Sequence, residues 1–136
     1  MVKIGLQVVN QKEILYMVKY RLTEAEENLA HIIWEMEPIK SSQLVKVCDE
    51  KFNWKKSTTY TMLKKLEVKQ VVKNNNSVVE SLIKKDDFYS NQSKMFVIEN
   101  FEGSLPRFLT AFTRVSKLSQ EEIDKLQKLI DDYKEE

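Results

Sequence analysis

A chain of 136 residues has room for one domain or two small ones. Its 42% apolar and 32% charged content supports a core inside a water-facing surface, and no apolar run approaches the roughly 18 residues needed to cross a bilayer. The net charge is only +1, and the single cysteine, Cys48, cannot form an internal disulfide, which agrees with a reducing cytoplasm.

Met1 to Tyr20 is mildly amphipathic but is broken by Gln7, Asn10, Gln11, Lys12 and Glu13. It has neither the uninterrupted apolar stretch nor the small-residue cleavage site of a signal peptide. The first clear helix opens at Leu22-Thr23-Glu24-Ala25-Glu26, where Thr23 and Glu26 have the spacing of a capping box. Ala25, Leu29, Ile32, Ile33 and Met36 then repeat on one face, with Trp34 beside them. Pro38 follows, and Ser41-Ser42 are the next N-cap candidates. A short second helix directs Leu44, Val45, Val47, Cys48 and Phe52 inward.

The third helix holds the most informative stretch, Trp54 to Leu66. Helical spacing predicts Tyr60, Leu63 and Leu66 on the inner side. Lys55, Lys56, Ser57, Thr58, Thr61, Lys64 and Lys65 are left on the open side. Such a face suits an element lying in a DNA major groove, because lysines neutralise phosphates while short hydroxyls reach base edges. The plainer alternative is a solvated charged face. Charge partition decides between them: residues 54–75 hold Lys55, Lys56, Lys64, Lys65, Lys69 and Lys73 against Glu67. Residues 119–136 hold Glu121, Glu122, Asp124, Asp131, Asp132, Glu135 and Glu136 against Lys125, Lys128 and Lys134. One end is built to meet polyanions and the other to avoid them.

Val71-Val72 and Val78-Val79 flank Lys73-Asn74-Asn75-Asn76-Ser77, which reads as a β-hairpin because asparagine tolerates the left-handed backbone of tight turns. Three helices and a two-stranded wing make a winged helix-turn-helix, in which Lys73, Asn74, Asn75 and Asn76 would touch the flanking DNA backbone. From Lys84 the pattern is helical again. Phe88, Met95, Phe96 and Ile98 mark a segment ending near Phe101-Glu102-Gly103. Ser104 caps another with Leu105, Phe108, Leu109, Phe112 and Val115, where Pro106 is tolerated in the first turn. Ser119 and Glu122 form a second capping box ahead of Ile123, Leu126, Leu129, Ile130 and Tyr133. Helices this apolar need a cover, and the economical one is a second copy of the chain. Phe96, Leu105, Phe108, Leu109, Phe112, Leu126 and Ile130 are the candidate dimer contacts. The fold class is therefore mainly α with a small β wing. Its expected organisation is an extension over 1–20, a winged helix over 21–83 and a helical dimerisation region over 84–136.

No nucleophile–base set, glycine-rich phosphate loop or paired metal motif occurs, so neither an enzyme nor a cofactor is expected. His31 reads as an ordinary helix residue and Cys48 as a small buried one, since a metal site needs more ligands than these two provide.

The ordered set Leu22-Thr23, Glu26, Ile33-Trp34, Trp54, Thr58, Thr61-Met62-Leu63, Leu66, Phe101-Glu102-Gly103-Ser104-Leu105-Pro106, Leu109, Ala111-Phe112, Leu118-Ser119 and Glu122 resembles the penicillinase-repressor (BlaI/MecI) family and its copper-responsive relatives. The resemblance runs over about residues 20–133 and implies a homodimeric repressor on a palindromic operator. It also implies release by a sensor protease cutting at an Asn-Phe bond, here Asn100-Phe101. The plainer reading of that pair is a helix terminus beside a core phenylalanine. Copper-responsive members carry C-terminal Cys-x-Cys pairs that this chain lacks. Other departures are Lys55-Lys56-Ser57 for the usual Ser-Pro-Lys, Gln70 for a glycine, the three asparagines for a wing-tip Gly-Arg, and Val79 for an aromatic. Met17 to Leu22 resembles a usual family start, which would place the first translated residue at Met17. An adaptor that binds proteins through the same fold is the alternative in another class, and the lysine excess argues against it.

Overall fold

The computed structural model describes residues 2–4, 7–9, 11 and 21–135. A short antiparallel ribbon joins β1 (Val2–Ile4) to β2 (Gln7–Val9). The expected start at Met17 and the rest of the first twenty residues lie outside the described part.

Helix α1 (Glu24–Met36) begins at the expected capping box: Thr23 Oγ1 accepts from Glu26 N, and Thr23 N donates to Glu26 Oε1. Leu29, Ala30, Ile32 and Ile33 are buried along it, whereas Met36 is exposed. The last turn has by then passed the edge of the core. Strand β3 (Ile39–Lys40), read from sequence only as a connection, pairs with the return strand of the wing. This pairing displaces the expected serine cap. Lys40 occupies the cap of α2 (Ser41–Phe52) without a side-chain bond, while Ser41 is the first helical residue and its N–H donates to Ser77 O.

Asn53 ends α2 in the left-handed region at φ 56°, a conformation asparagine tolerates, and turns the chain into α3 (Lys56–Val68). The wing follows as β4 (Val72–Asn75) and β5 (Val78–Ser81), giving a three-stranded antiparallel sheet ordered β3-β5-β4. Leu29, Ile33, Leu44, Cys48, Leu63, Leu66, Val71 and Val79 join in one core. At its edge Glu37 fastens α1 to β5, accepting from Ser81 N at 2.9 Å and from its hydroxyl at 2.8 Å. Burial works to raise the Glu37 carboxyl, but the Ser81 bonds and nearby Lys84 outweigh it and hold the group below its ordinary range.

Three helices complete the chain: α4 (Lys85–Phe101), α5 (Leu105–Val115) and α6 (Gln120–Lys134). Both expected caps form, with Ser104 Oγ accepting from Arg107 N and Ser119 pairing reciprocally with Glu122. Phe88, near the start of α4, is buried in the winged-helix core. No side chain of α5 or α6 is fully buried among the described residues.

Candidate nucleic-acid interface

Helix α3 packs against α1 and α2 and buries Thr59, Leu63 and Leu66. Here the sequence reading needs correction, because Thr59 rather than Tyr60 points inward. Positions 59, 63 and 66 form a tighter stripe than 60, 63 and 66, and a small hydroxyl fits the close approach of α2 beside Cys48 where a phenol would not. Burial pushes the Cys48 thiol up, and the neighbouring Thr59 hydroxyl offsets this only in part. Tyr60 is 37% exposed at the seam between the two helices.

Lys55, Lys56, Ser57, Thr61, Lys64 and Lys65 are exposed on the outer side of α3, and Thr58 is half-buried. The first turn carries no acid and no side-chain cap, so its amide groups add to the positive character of the lysines. The Lys69 ammonium is already engaged within the fold. It lies 2.8 Å from Glu26 Oε2 and 2.9 Å from Arg21 O, so part of the lysine excess is spent inside the fold. Lys73 is exposed and stands 3.8 Å from Glu80 across the hairpin.

The asparagines divide differently from the single tip read in the sequence. Asn74 and Asn75 are strand residues opposite Val79 and Val78, and the turn is Asn76-Ser77, both at positive φ (51° and 66°). Asn74 Oδ1 is buried and meets no donor among the described residues, whereas Asn75 and Asn76 are exposed. Hairpin pairing with β5 carries β4 on to Asn75, and β3 adds a third strand on the far side of β5, a long-range contact that local turn chemistry did not encode.

Residues 22–132 match the sequence profile described as penicillinase repressor. The chain belongs to the penicillinase repressor family. It is similar to the methicillin resistance regulatory protein MecI of Mammaliicoccus sciuri, at 24% identity over 82% of this chain and 94% of that protein. It is also similar to the penicillinase repressor of Bacillus licheniformis, at 24% identity over 84% of this chain and 92% of that one. Members of the family are DNA-binding regulators, not enzymes.

Gln70, where the resemblance leads to the expectation of a glycine, follows α3 at φ 60°. The turn is therefore left-handed, the region that glycine enters without steric cost.

In the C-terminal region Phe108, Leu109 and Leu126 are half-buried, whereas Leu105, Phe112 and Ile130 are exposed at 58%, 43% and 49%. Phe96 is also exposed. An aromatic run links α4 to α5: Phe101 and Phe108 have ring centroids 5.5 Å apart, and Phe108 and Phe112 6.1 Å. Asn100 is exposed in the last turn of α4, where its amide donates to Phe96 O, and Phe101 ends the helix half-buried.

Tyr89 carries a contact the sequence reading missed. Its single hydroxyl proton goes to Glu27 Oε1 at 2.7 Å, leaving the oxygen to accept from His31 Nε2 at 2.6 Å. Burial, with the Glu27 carboxylate, pushes Tyr89 up to about 12. Trp34 adds a second tie, its indole N–H donating to Ile83 O at 3.0 Å. His31 is therefore part of the joint between α1 and α4. Nothing in local periodicity pairs positions 31 and 89. Among the described residues no group of three or more His, Cys, Asp or Glu could hold a metal, and no helix is long and apolar enough to cross a membrane.

Proposed function

We propose that this protein is a transcriptional repressor that binds a palindromic operator as a homodimer, with α3 in the major groove and the wing against the flanking backbone. The observation that carries the reading is the exposed Lys55, Lys56, Lys64 and Lys65 around Ser57 and Thr61 on one face of a helix held rigidly by Thr59, Leu63 and Leu66. The lysines supply phosphate neutralisation and set orientation, while the hydroxyls are short enough to meet base edges. Asn75 and Asn76 at the wing offer amides to phosphate without added charge.

Residues 21–83 act as the reading head and 84–136 as the dimerisation region, with Phe96, Leu105, Phe108, Leu109, Phe112, Leu126 and Ile130 meeting a second copy. The exposed apolar surface of α5 and α6 supports this, since single soluble chains seldom leave such surface in water. Release by cleavage at Asn100-Phe101 is the mode that the relationship to penicillinase repressors offers. Only the last turn of α4 would have to fray to present the bond.

A gel shift with the DNA upstream of the protein's own coding region, against scrambled DNA, tests the reading. Footprinting of the shifted complex should protect inverted half-sites about 10 base pairs apart or a multiple of that. Equal retention of both DNAs, or a lone half-site, would refute it.

A further inference from the structure

Tyr60 is a large aromatic side chain on a helix face built mainly of lysines and hydroxyls, with Val68 exposed toward its end. It is not in the buried core, and its hydroxyl reaches back to α2, 3.5 Å from the Oγ of the buried Ser41. The hydroxyl thus lies at the α2–α3 seam, at the long limit of a hydrogen bond. The ring carbons remain at the open face, where Tyr60, Thr61, Lys64, Lys65, Val68 and Lys69 line an open hollow of about 530 Å³. Tyr60, Lys64 and Val68 recur every four residues, so carbon and charge alternate along a single ridge.

From this arrangement we infer that Tyr60 is a specificity-determining residue that receives the C5-methyl group of a thymine in the operator half-site. The inference rests on the repressor reading above. In the major groove thymine alone among the four bases projects a methyl group, and an apolar side chain distinguishes it from cytosine by burying that methyl. The lysines of α3 cannot do this, because their phosphate contacts carry no sequence information. Thr61 alone, with one methyl, covers too little of it. An aromatic ring, with only two side-chain torsions, offers apolar area with few rotamers to freeze on binding. The cations at Lys64 and Lys65 complement the phosphates on either side of the groove, so DNA is the occupant that satisfies both the carbon and the charge of this face.

The test is a thymine-to-uracil scan of the operator, which deletes one methyl group at a time and changes nothing else on the base. For the parent protein, one uracil substitution in each half-site should weaken binding about fourfold, the worth of one buried methyl. With Tyr60→Ala, and with Tyr60→Gln as a second variant, that same substitution should have no further effect. Tyr60→Phe should retain the fourfold sensitivity. Either polar or truncated variant suffices if the other does not fold, because the readout is coupling between residue and methyl rather than affinity itself. A parent indifferent to every uracil substitution, or a sensitivity that survives both variants, would overturn the assignment. A parent that fails to prefer operator over random DNA at all would instead remove the repressor reading on which it depends.

Discussion

Lys69 at the end of α3 reaches Glu26 at the start of α1, with Nζ 2.8 Å from Oε2 and 3.0 Å from Oε1. The Glu26 side chain is 2% exposed and also closes the Thr23 capping box, so one carboxylate ties the start of α1 to the end of α3. Burial alone would raise its pKa; the Lys69 and Thr23 bonds more than offset this and hold it below the ordinary 4.5.

Lys69→Met should therefore destabilise the protein by about 2–3 kcal/mol in urea unfolding, below the full cost of orphaning a buried charge because the lysine is partly in water. The pH profile follows from the sign of the shifts. Glu26 and Glu37 both have folded values depressed from 4.5, so their contribution is present above that pH and disappears as pH falls through the depressed values. Unfolding midpoints should fall below pH 4.5, less steeply in Glu26→Gln. An unchanged acid limb in that variant would contradict the assignment.

Gln70→Gly should raise stability by about 0.5–1 kcal/mol. A non-glycine residue at φ 60° bears the left-handed penalty, while glycine avoids it at some cost in unfolded-state entropy. A denaturation midpoint that falls would mean that the Gln70 side chain contributes more than its backbone costs.

Removing the hydroxyl in Tyr89→Phe should cost about 1 kcal/mol by leaving Glu27 and His31 without their shared partner. Because Tyr89 is raised from 10.0 to about 12, its contribution is complete below pH 10 and is lost as pH rises toward 12. The parent should lose stability across that alkaline window more steeply than the variant, as followed by circular dichroism.

Phe112→Asp places a charge on the exposed apolar face of α5. Sedimentation should find monomer at concentrations where the parent is dimeric, with the winged-helix core still folded. A dimeric variant would exclude Phe112 from the interface.

Capping boxes at Thr23–Glu26 and Ser119–Glu122, the cap at Ser104 and the apolar stripes of α1 and α4 were legible because each depends on neighbours within a turn or two. The lysine-rich face of α3 was legible for the same reason. Contacts between distant segments were not. The recruitment of Ile39–Lys40 into the sheet, the inward turn of Thr59 in place of Tyr60, the diversion of Lys69 to Glu26 and the Tyr89–His31 joint all depend on which elements pack together. Sequence alone therefore showed neither that Lys69 is tied to Glu26 nor that Tyr60 is left partly exposed.

The most direct test of α3 as the groove element is the salt dependence of binding in its side-chain variants. Lys64→Ala and Lys65→Ala should weaken operator and random DNA alike, each lowering the salt slope by about 0.9 unit for one lost phosphate contact. Thr58→Ala and Thr61→Ala should keep the slope and lose affinity for the operator alone, on the order of 1 kcal/mol each. Lysine variants with unchanged slope, or threonine variants that weaken both DNAs equally, would contradict the account.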